Sequence, residues 1–101
     1  MSSEKPKNEN QIQINIDDKI ADGIYSNLSI SNFSPEEFIL DFAFIQPHVK
    51  KGQIKSRVIL SPRNAKKLSE MLQENIKNYE SKMGPIDRGP AGQTGISLSP
   101  N

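Results

Sequence analysis

The chain has 101 residues, 13 Lys and Arg against 12 Asp and Glu, 34% apolar residues and a mean hydropathy of −0.62, enough for one small domain. With no cysteine and one histidine it has neither a disulfide scaffold nor a Cys- or His-based metal cluster. No apolar run approaches the ~18 residues that would span a membrane.

Residues 1–10 hold only Met1 as an apolar residue, so a disordered N-terminal arm is expected there. The first residues lack the apolar stretch of a signal peptide, which makes the cytoplasm the expected address. Ile12, Ile14 and Ile16 alternate with polar residues, the period of a half-buried strand. Ile24, Leu28 and Ile30 continue that period over 24–32 as a second strand. Asn32-Phe33-Ser34-Pro35 reads as a turn, because Pro35 presets its φ and Ser34 bonds locally. Phe38 to Ile45 is dense in aromatic and branched residues and predicts a third strand, closed by Gln46-Pro47. Lys50-Lys51-Gly52 reads as a loop, and Ile54, Val58 and Leu60 mark a fourth strand.

A helix follows. Ser61 suits the N-cap and Pro62 the first helical position. Ala65, Leu68, Leu72, Ile76, Tyr79 and Met83 recur at steps of three or four and form one apolar stripe, which Met71 widens. Gly84-Pro85 ends it. Residues 84–101, rich in Gly, Pro, Ser and Thr, predict a flexible tail. The expectation is thus a single α+β domain over 11–83. It has an antiparallel sheet of about four strands and one C-terminal amphipathic helix packed on one face.

Short connections predict a meander with the Phe38–Ile45 strand central. Placing Phe44 opposite Ile54 puts Leu40 against Val58 and keeps the large side chains on one face; a slip of one residue would set Lys55 and Arg57 against the phenylalanines. The other face is then mixed and carries Tyr25, Asn27, Ile39, Asp41, Ile45, Lys55, Arg57 and Ile59, with Asp41 across from Arg57 as an opposite-charge pair. One helix covers one face, so the mixed face meets water or another chain. Together with Arg63 at the helix entry, these residues form the expected partner-binding set.

Charge is uneven along the chain. Residues 1–41 carry eight acids and three bases, whereas 48–67 carry Lys50, Lys51, Lys55, Arg57, Arg63, Lys66 and Lys67 and no acid. This basic stripe suits an acidic protein surface or, less well, nucleic acid, since it has no aromatic interleaving for base stacking. Solvated charge is the plain alternative. No catalytic residue, cofactor site or metal site is expected. His48 sits in a loop with no orienting acid, and no phosphate loop or nucleophile elbow is present.

Tyr25-Ser26-Asn27-Leu28, Ser34-Pro35-Glu36-Glu37-Phe38 with Asp41-Phe42, Lys55-Ser56-Arg57-Val58-Ile59-Leu60-Ser61-Pro62, Ala65-Lys66 and Asn75-Ile76-Lys77-Asn78-Tyr79-Glu80 follow one another in a specific order and spacing. With them, the run from 25 to 86 resembles the bacterial family DUF3467, a domain of unknown function. The resemblance implies no enzymatic activity. It implies an accessory component of the transcription machinery, with the large RNA polymerase subunits as partners. It also implies a histidine just inside the helix, where this chain has Asn64. The strands-then-helix order is similar to that of the export chaperone SecB, which makes a self-assembling, homo-oligomeric chaperone module the alternative expectation; weak nucleic-acid binding is a third.

Overall fold

The computed structural model describes residues 11–89. The expected disordered arm over 1–10 lies outside the described residues, as does the 90–101 part of the expected tail. The described residues divide into two compact units, 11–32 with 39–59 and 33–38 with 60–89.

A three-stranded antiparallel sheet runs in the order β1-β2-β3, with β1 at Leu28–Phe33, β2 at Phe38–Gln46 and β3 at Lys51–Leu60. The α+β class and the central place of β2 are as the sequence predicts, but the strand number is three and not four. Ile12, Ile14 and Ile16 lie in a segment that forms no strand and leaves all three side chains exposed. Period-two alternation states that a segment is two-sided; a strand also needs a neighbour to bond. A four-residue helix follows instead, α1 at Asp18–Ala21, where the Asp17 carboxylate accepts a bond from the Lys19 N–H at 3.1 Å. β1 starts at Leu28, later than the expected 24.

The β2–β3 hairpin turns over residues 47–50. The N–H groups of Val49 and Lys50 both donate to the Gln46 carbonyl, and Lys50 takes φ +57°. β3 already begins at Lys51, within the expected loop. Gly52 explains why the strand starts so close to the turn. A methyl group there would stand 2.8 Å from Ile45 Cγ1 and 3.3 Å from the Phe44 carbonyl oxygen, so only a glycine backbone fits.

In the second unit, the Ser34 N–H bonds the Glu37 carbonyl and the Glu36 N–H bonds Ser34 Oγ, which tightens the β1–β2 turn. Phe33 is the last residue of β1, outside the turn itself; its ring stacks on Phe38 at 5.7 Å while remaining exposed. α2 spans Pro62–Met83. Ser61 caps it through Oγ, which accepts from the Asn64 N–H at 3.1 Å, and Gly84 closes it with φ +96° and a bond to the Glu80 carbonyl.

Candidate functional site

The deepest point of the described residues is Asp41, fully enclosed on the central strand, and its neighbour in burial is Ala43 at 4% exposed. Both lie on the alternate face from Phe42 and Phe44. Asp41, one of the expected partner-binding residues, is thus closed off at the centre of the mixed face. Short side chains on a strand flanked on both sides are covered by longer neighbours, and Arg57 is one such neighbour.

Arg57 grips Asp41 through two parallel bonds, Nε to Oδ1 at 2.6 Å and Nη2 to Oδ2 at 2.9 Å. This bidentate geometry is the strong form of a guanidinium–carboxylate pair. The bonds from Arg57 hold the Asp41 carboxyl below its ordinary value of 3.8; burial opposes that shift, and the Arg57 charge adds to it. The guanidinium is raised in turn, first by the bond to Asp41 and then by its charge. Asp41 is thereby fully engaged, and the surface it supports is the outer side of Arg57, whose side chain is 55% exposed.

The other expected binding residues divide by position. Ile39 and Ile45 are half-buried on β2, whereas Lys55 and Ile59 are exposed on β3. Asn27 is held by β2. Its amide donates to the Ile45 carbonyl at 3.0 Å and accepts from the Ile45 N–H at 2.9 Å, while its own N–H bonds the Ala43 carbonyl. Tyr25 does not lie on the expected face. Its ring meets Phe44 edge-on with centroids 6.1 Å apart, on the side of the phenylalanines. β1 begins three residues later, so strand alternation does not reach Tyr25.

All seven basic residues, Lys50, Lys51, Lys55, Arg57, Arg63, Lys66 and Lys67, are exposed. Lys50 to Arg57 belong to the first unit and Arg63 to Lys67 to the second. The first turn of α2 carries no acid, so Arg63 stands against the positive end of the helix dipole. A cation placed there works against helix stability and is free to meet an outside acid.

Sequence reasoning missed a cleft of about 310 Å³ in the first unit, lined by Lys19, Ile20, Ile24, Phe42 and Ser56 among others. Its wall includes α1, which is too short to show a helical period; Asp17 as a cap was the one available signal. A second, open groove of about 350 Å³ runs along α2 beside Glu70, Glu74 and Lys77. Among the described residues, no group of three or more His, Cys, Asp or Glu is placed to hold a metal ion. Among the same residues, no helix is long and apolar enough to cross a membrane.

No curated protein and no solved structure significantly matches the chain. A family model does, over residues 1–88, so the chain belongs to the family described as protein of unknown function, DUF3467.

Proposed function

We propose that this chain is a non-catalytic, protein-binding accessory subunit, with bacterial RNA polymerase as its partner. One observation carries the reading. Among the described residues Ala43 is the only apolar side chain that is buried, while Tyr25, Val58, Ile59, Leu72, Ile76 and Tyr79 stay exposed. A small domain that leaves this much apolar surface open gains stability by covering it with another chain. The proposed contact residues are Lys55, Arg57 and Ile59 on β3 and, separately in the second unit, Arg63; the β3 set suits a partner face that is apolar at its centre and acidic at its rim. The cleft of the first unit supports the non-catalytic part of the reading. Lys19 is the one ionisable residue in the wall of the first, and acid–base chemistry in a cleft ordinarily uses two. The polymerase assignment rests on the family resemblance.

Affinity purification of the native protein tests the proposal. The large polymerase subunits should co-purify at moderate salt and be lost when Lys55, Arg57 and Arg63 are all replaced by Glu. Their absence from the wild-type eluate overturns the partner. The same open apolar surface favours a self-assembling, SecB-like chaperone module as the second reading. Suppression of a model client's aggregation, together with no polymerase in the eluate, would decide for it.

A further inference from the structure

α2 carries its apolar stripe on the surface. None of its 22 residues is buried, and Leu72, Ile76, Tyr79 and Met83 are between 45% and 71% exposed. In water a helix takes most of its stability from packing such a face and little from propensity. From Ala65 to Met83 the stripe runs about 27 Å, long enough to seat a second helix along it.

Side-chain size and charge say which helix fits. About position 74 the stripe reads nearly the same in both directions: Leu72 maps onto Ile76, Ala65 onto Met83, and Leu68 to within one residue of Tyr79. Antiparallel pairing with a second α2 therefore sets small against large at each end and branched against branched at the centre. A parallel pair would crowd Met83 on Met83 and leave a gap between the two Ala65. Charge agrees. Residues 62–69 hold Arg63, Lys66 and Lys67 and no acid, whereas 70–80 hold Glu70, Glu74 and Glu80 against Lys77. The basic start lies on the positive end of its own helix dipole, and an antiparallel neighbour brings its negative end beside it. Glu80 accepts the Ile86 N–H on Oε2 at 2.9 Å, which leaves Oε1 for a base.

We infer that α2 pairs antiparallel with the α2 of a second copy, about a two-fold axis near residue 74. Leu72 then packs on Ile76 of the second copy, Leu68 on its Tyr79 and Ala65 on its Met83, while Lys66 at the rim meets its Glu80. One patch serves both copies, so the contact closes as a dimer and covers both stripes at once. Tyr25, Val58 and Ile59 belong to the first unit and take no part in it. The inference thus goes beyond the foreign-partner reading and does not rest on it: a dimer in solution and polymerase in an eluate are read separately, and either can fail alone.

The test uses the absence of native cysteine. Full-length Ala65→Cys is mixed with full-length Met83→Cys and treated with a short bismaleimide, so that every link formed is between copies. The expected product is a 65–83 species of twice the chain mass, with little product from either variant alone. Light scattering should give a dimer for the wild type at micromolar concentration, and Ile76→Asp should weaken it at least roughly tenfold. Lys66→Glu should weaken the dimer, and adding Glu80→Lys to it should restore part of the loss. A monomeric wild type overturns the inference. So does efficient linking of Ala65→Cys to itself, which is the mark of a parallel pair, or a dimer that Ile76→Asp leaves unchanged.

Discussion

Arg57 and Asp41 form a lopsided ion pair: the carboxylate is fully enclosed, while the guanidinium that holds it is half in water. The acid is therefore the member that depends on its partner. Removing Arg57 leaves a buried charge without compensation, whereas removing both charges together does not. Arg57→Met should lower the melting temperature by roughly 5 °C, since the guanidinium is more than half exposed and water reaches the carboxylate once it is gone. Asp41→Leu combined with Arg57→Met should lose less than Arg57→Met alone. Thermal unfolding of the three proteins measures the order, and equal losses in both variants would contradict it. Solvent on the outer side of Arg57 screens part of the attraction, so the pair's strength comes chiefly from its two bonds.

The same pair sets an acid limit. The folded carboxyl titrates below its ordinary 3.8, so the unfolded chain binds the proton first as pH falls. The stabilisation from this pair is then complete above the unfolded value and drains away as pH drops from there towards the folded one. Denaturant midpoints should hold steady from neutral pH to about pH 5 and fall below pH 4. Asp41→Asn should start from a lower midpoint and show a flatter acid limb. An acid limb as steep as that of the wild type would remove Asp41 as its cause.

Gly52 tolerates no side chain where β3 leaves the turn, because the added carbon meets the branched Ile45 side chain and a backbone oxygen. Gly52→Ala should cost about 1–3 kcal/mol, the range for overpacking a fitted contact. Pairing it with Ile45→Val does not relieve the clash, since Val keeps a γ carbon at the position of the Ile45 Cγ1 contact. Ile45→Ala should recover part of the loss. Chemical denaturation of the single and double variants reads the coupling.

Ser61 caps the start of the long helix through its side chain. Ser61→Ala should cost about 1 kcal/mol and Ser61→Asp should cost little or nothing, since an aspartate caps as well and also favours the helix dipole. The measurement is the denaturation midpoint, with helical signal at 222 nm as the probe. Because Ser61 neighbours Arg63, the Asp variant should gain further at low salt.

How much of this was readable from the residues depends on how local each cause is. α2 was legible from end to end, because Ser61, Pro62, the three-and-four spacing and Gly84 all act within a few residues. The Asp41–Arg57 pair was legible because alternation and charge point to the same register. The Ile12–Ile16 segment misled, since its pattern describes the strand and not the presence of a neighbour. α1 was hidden by its length. Gly52 looked like a turn residue, and the reason for it, the approach of Ile45, depends on the opposite strand. Tyr25 was assigned a face by extending an alternation past the residue where β1 starts.

Asn27 has one more consequence. Its side-chain amide occupies the rung that the next peptide of β1 would take, with both of its polar atoms spent on Ile45. Sliding β1 along β2 by one position would strand both partners at once, so this single amide acts as a latch on the alignment of the first hairpin. The hairpin is thereby fixed at its open end by a side chain, far from the turn that closes it.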